Sequence, residues 1–98
     1  MRIKEIGKDR LATICRKYRA TRLSLFGSSL RGEDGPDSDV DLLVEFEKDA
    51  KVGYFELCGM EIELAELIGR SVDLRTEHDL SRYFRQEVVQ NALELYAA

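Results

Sequence analysis

The sequence predicts one domain of the α/β or α+β class, a small mixed sheet flanked by helices, filling residues 1–98. Three observations predict it. Apolar runs of strand length alternate with apolar stripes of helical period. Ninety-eight residues suffice for one modest core. One run, Leu42-Leu43-Val44, is apolar on both faces, as a central covered strand requires.

Ile3 to about Arg19 reads as a helix, because Leu11, Ile14, Cys15 and Tyr18 recur at i, i+3, i+4 and i+7. Ala20-Thr21 ends it. Arg22 to Phe26 alternates Leu23 and Leu25 with polar neighbours and reads as a strand. Gly27 breaks that strand, and Ser28 is a candidate N-cap for a turn of helix over Ser29 to Arg31. Gly32 to Ser38 is a loop by composition. Asp39 to Phe46 is the strongest strand.

A polar turn leads to a second helix, Tyr54 to Ile68, with Tyr54, Leu57, Cys58, Leu64, Ala65 and Ile68 along one side. Its glutamates, Glu61, Glu63 and Glu66 among them, read as a solvated face, and Gly69 is a natural stop. Ser71 to Arg75 is a short strand. A helix lies between it and the preceding strand, so that pair is expected to be parallel. Tyr83 to Tyr96 reads as a closing helix, with a stripe of Phe84, Val88, Ala92, Leu95 and Tyr96.

Composition narrows the function. The net charge is −4 and the pI near 5.0, which argues against a basic nucleic-acid coat, so no direct nucleic-acid binding is expected. No apolar run reaches membrane-spanning length, and the N-terminus has no signal-peptide core. Cys15 and Cys58 sit singly, without metal-ligand spacing, and read as reduced thiols of a cytoplasmic protein. His78 is the only histidine, so no Ser/His/Asp or Cys/His arrangement is credible.

From Glu33 to Glu47 the chain carries seven acids and no base. Such a cluster is either a solvated face or a cation site, and charge alone does not choose. Spacing adds more. Asp39 and Asp41 lie two apart on a strand and share a face, where two ionised carboxylates are stable only in water or around a cation. Their hard oxygens suit Mg²⁺ or Mn²⁺. Asp73, between Val72 and Leu74, faces away from the core if those two face it. A neighbouring strand then brings it beside the first pair, giving the shared ligand set of a two-metal displacement at phosphorus.

Gly27 and Ser28 supply a phosphate seat at a helix start, Arg31 adds charge, and Ser38 caps the turn before the strand or touches the nucleotide. Asp73 is also the candidate to help deprotonate an attacking hydroxyl. Alone, each of these features has an ordinary structural explanation. Together, Gly-Ser, ten residues, then Asp-x-Asp arises by chance in about one chain per thousand of this length.

Leu25-Phe26-Gly27-Ser28, Asp39-Val40-Asp41-Leu42-Leu43-Val44 and Val72-Asp73-Leu74 closely resemble the DNA polymerase β-like nucleotidyltransferase superfamily. Arg31-Gly32 and Pro36-Asp37-Ser38 match the loop of its smallest members, the minimal nucleotidyltransferases paired with HEPN-domain toxins. The resemblance covers nearly the whole chain. It implies the polymerase β-like fold, catalytic and metal roles for Asp39, Asp41 and Asp73, and nucleotide binding at Gly27, Ser28, Arg31 and Ser38. It further implies two Mg²⁺ ions, ATP as substrate, and an antitoxin that attaches AMP to a tyrosine of its partner HEPN ribonuclease toxin within a hetero-oligomer. Two other expectations stay open: an antitoxin that acts by contact alone, and an enzyme that modifies a small molecule.

Overall fold

The computed structural model describes residues 7–27, 39–77 and 90–98. In chain order they form α1 (Lys8–Lys17), β1 (Ala20–Leu25), β2 (Val40–Phe46), α2 (Tyr54–Ile68), β3 (Val72–Thr76) and β4 (Leu93–Ala97). The strands make one sheet in the order β3-β2-β1-β4. β1 pairs antiparallel with β2 and with β4, while β2 and β3 run parallel, as the intervening helix requires.

Strand alternation builds the core. Val40, Leu42 and Val44 of β2 are all buried and meet Leu23 and Leu25 of β1 and Val72 and Leu74 of β3. Both helices add to that same cluster, α1 through Leu11 and Cys15, α2 through Met60, Leu64 and Ile68. The period-2 and period-3.6 patterns thus converge on one layer boundary between sheet and helices.

Local chemistry fixes the ends of the helices. Arg19 leaves α1 in a left-handed conformation, φ 62°, an uncommon choice for a residue with a side chain. It is held there from both ends. Its carbonyl accepts from the Glu47 N–H at 3.0 Å, and its guanidinium bonds Glu47 at 2.5 Å and Asp49 at 3.2 Å. α2 starts where the Gly53 N–H donates to Glu56 Oε2 at 2.9 Å and stops at Gly69, φ 79°, whose N–H donates to the Ala65 carbonyl.

Three expectations change. The closing helix does not run to Tyr96. The backbone is helical at Gln90 and Asn91, and Leu93–Ala97 then pairs with the open edge of β1. Leu93-Glu94-Leu95-Tyr96 fits either period, and the unpaired edge decides. Second, Tyr54 is not on the buried side of α2; it is exposed, as are Phe55 and Ile62, and Met60 takes the core position. Third, two of the supposedly solvated glutamates have structural partners. Glu61 Oε2 accepts the Leu74 N–H of edge strand β3 at 2.9 Å. Glu63 accepts from the Tyr18 hydroxyl and from Lys17 Nζ at 3.0 Å, tying α2 to the end of α1.

Both cysteines are free, Cys15 buried and Cys58 half-buried. No helix among the described residues is long and apolar enough to cross a membrane.

Candidate active site

Three strands position the site on the sheet face turned away from α1 and α2. On β2, Val40 and Leu42 point into the core, so Asp41 points to the opposite face. On β3, Val72 and Leu74 are buried and Asp73 is half-buried on the opposite side, as the sequence suggested. The parallel register pairs Asp41 directly with Asp73. Neighbouring strands lie about 4.8 Å apart, so two carboxylates from distant parts of the chain stand side by side. Asp39 precedes β2 by one residue and is exposed. Val40, between Asp39 and Asp41, is anchored by its N–H to the Ser71 carbonyl at 2.8 Å.

β1 supplies the floor. The Phe26 N–H donates to the Asp41 carbonyl at 3.1 Å, which brings the next residue, Gly27, over the Asp41 side chain. Gly27 has φ 69°, and a β-carbon added there would lie 2.5 Å from Asp41 Oδ2. Only glycine combines that backbone with that approach. Ser28, Arg31 and Ser38 lie outside the described residues, as does His78.

The same face continues past the two aspartates. Arg75, two residues after Asp73, donates from Nε to Asp73 Oδ2 at 3.1 Å. Further along the sheet, Arg22 reaches Glu45 at 3.4 Å and Glu94 at 3.2 Å. Between them lies a shallow hollow lined by Ser24, Leu43 and Ala92 among others, with Ser24 and Leu43 themselves buried. Sequence reading passed over Arg75, although its place two residues after Asp73 on a strand put both on one face.

The donor set fits a hard divalent cation, since carboxylate oxygens are its preferred ligands. Asp41 and Asp73 would hold it, with Asp39 reaching in from the start of β2. Among the described residues, no three His, Cys, Asp or Glu side chains are gathered closely enough to form a cation site by themselves. Phosphate oxygens and water complete the shell of Mg²⁺ in nucleotide sites, so one or two carboxylates are the usual protein share.

The chain is similar to known proteins. The nucleotidyltransferase domain family matches residues 8–96. A chain of Methanocaldococcus jannaschii assigned as a protein adenylyltransferase is 32% identical over 95 residues, covering 97% of this chain and 99% of that one. The protein adenylyltransferase MntA of Thermococcus cleftensis is 33% identical over 78 residues, 79% of this chain and 76% of its own. A solved structure assigned as a minimal nucleotidyltransferase superposes with a TM-score of 0.73 at 32% identity, over 88% of this chain and 86% of that one. A chain from the complex of tri-AMPylated Shewanella oneidensis HEPN toxin with MNT antitoxin shares the fold, with a TM-score of 0.66 at 18% identity over 98% and 74% of the two chains. Taken with paired aspartates beside a glycine floor, these matches make the chain a member of the nucleotidyltransferase domain family, in its minimal form and with the polymerase β-like fold.

Proposed function

We propose that this chain is an antitoxin that transfers AMP from ATP to a tyrosine of a HEPN-domain toxin, with Mg²⁺ bound by Asp39, Asp41 and Asp73. The observation that carries the reading is the register of Asp41 against Asp73 beside Gly27. The named activity of its relatives, protein adenylylation, and the toxin partner of a structural neighbour support the choice of acceptor. The setting is cytoplasmic, and toxin and antitoxin act as a hetero-oligomer.

In this reading the triphosphate lies along the Gly27–Ser28 turn, where the missing β-carbon lets phosphate approach the backbone. Arg31 and Ser38 line the same nucleotide. Bound Mg²⁺ neutralises charge on the phosphates and lowers the barrier to displacement. Asp73 orients the acceptor hydroxyl and draws off its proton. The phenolic oxygen bonds to the α-phosphorus, the bond from that phosphorus to the bridging oxygen breaks, and pyrophosphate leaves. Among the described residues the site face carries a small hollow, and a protein partner that presents its own tyrosine there suits it.

The test is transfer of α-labelled ATP to the product of a neighbouring toxin gene. Label on the toxin that disappears in Asp41→Asn and Asp73→Asn supports the proposal. Protection of the toxin with no labelling, undiminished in both variants, would replace it with neutralisation by contact. Labelling of an aminoglycoside without any protein partner would replace it with small-molecule modification.

A further inference from the structure

Asp73 already holds a cation. Arg75 Nε donates to Asp73 Oδ2 at 3.1 Å, and both side chains project from β3 to the site face. The register partner of Arg75 on β2 is Leu43, a buried apolar residue that offers no competing acceptor. Arg22, another arginine on this face, is matched by two carboxylates, Glu45 and Glu94. The Arg75–Asp73 pair is reachable by solvent, with 48% and 34% of the two side chains exposed, so it can open without disturbing the core.

We infer that Arg75 is a positioning residue that competes with the divalent cation for Asp73 and so makes metal loading depend on nucleotide. The inference rests on Asp41 and Asp73 being metal ligands. A guanidinium on a ligand carboxylate opposes a second cation in two ways: it occupies an oxygen, and it repels like charge. A metal that arrives with a triphosphate removes both obstacles. Phosphate oxygens accept from a guanidinium in the same forked geometry as a carboxylate, so Arg75 can release Asp73 without losing a partner. Metal and nucleotide then bind more tightly together than apart, and the coupling is reciprocal.

The test measures Mn²⁺ affinity of the free protein by electron paramagnetic resonance, and affinity for the Mn²⁺ complex of a non-hydrolysable ATP analogue by calorimetry. Wild type, Arg75→Ala and Arg75→Lys are compared, with circular dichroism confirming the fold. Arg75→Ala is expected to bind free Mn²⁺ about fivefold more tightly. It gains nothing toward the Mn²⁺–nucleotide complex, so the coupling shrinks. Arg75→Lys, which keeps the charge, stays within about twofold of wild type. Free Mn²⁺ binding in Arg75→Ala no tighter than in wild type would overturn the inference. Asp41→Asn separates the two possible failures. If it abolishes Mn²⁺ binding while Arg75→Ala leaves it unchanged, only the role of Arg75 falls. If neither Asp41→Asn nor Asp73→Asn affects Mn²⁺, the metal site falls and this inference with it.

Discussion

Gly27 and Asp41 stand so close that a single added carbon at the glycine would lie 2.5 Å from the aspartate's Oδ2. The carboxylate is the movable end of that contact, so Gly27→Ala pushes it aside. The substitution also puts a side chain on a left-handed backbone, which costs about 1–2 kcal/mol. AMP transfer is expected to fall about a hundredfold, the scale of a misplacement near 1 Å. Melting temperature should drop by about 5–10 °C, with the fold retained. Equal activity in Gly27→Ala and wild type would mean that the Asp41 carboxylate takes no part.

Glu61 closes the free edge of the sheet by accepting the Leu74 N–H. Removing that acceptor leaves a half-buried donor without its partner, at a cost of about 1–2 kcal/mol. Urea unfolding should show that loss for Glu61→Ala and recovery of most of it for Glu61→Gln, which keeps a carbonyl oxygen.

Tyr18 and Glu63 make stability depend on pH at both extremes. The hydrogen bond from Tyr18, and then that from Lys17, hold the Glu63 carboxyl below its ordinary range. Its contribution is present above the ordinary glutamate value and is lost as pH falls through the lowered one. The same bond, with a smaller share from burial, pushes the Tyr18 phenol up to about 12. That contribution is present below the ordinary tyrosine value and is lost as pH rises through about 12. The melting-temperature difference between wild type and Tyr18→Phe should therefore be flat from about pH 5 to about pH 10 and shrink on either side. A difference that grows on acidification would contradict the assignment.

Burial pushes the Cys15 thiol up to about 11, so little thiolate exists near neutrality. Cys15 has no exposed surface, whereas Cys58 is half-buried on α2. A disulfide reagent at pH 8 should modify one thiol quickly, identified by mass spectrometry as Cys58, and reach Cys15 only in denaturant.

Much of this was legible because short-range signals agreed with long-range ones. Leu23 and Leu25 alternate, Val40, Leu42 and Val44 alternate, and both strands they predict are present, although the first begins two residues early, at Ala20, where a helix end was expected. The parallel pairing of β2 and β3 followed from a helix of sufficient length between them. Asp73 was assigned to the site by the faces of Val72 and Leu74, and the register bears out its side of the sheet. Leu93–Ala97 was misread because its strand character comes from the unfilled edge of β1, far away in sequence. Tyr54 was misplaced because a tyrosine on a helical stripe looks like core, whereas the buried side of α2 is Met60, Leu64 and Ile68. Arg75 was overlooked because a surface arginine is the default until a neighbour such as Asp73 is located.

β2 serves two masters by parity alone: even-numbered positions 40, 42 and 44 fasten the helices, and odd-numbered position 41 presents a carboxylate. Sliding it by a single step against β1 or β3 would thrust an acid among leucines and strip the opposite side of its anion. A chain docked in that shifted way would be unstable as well as inert.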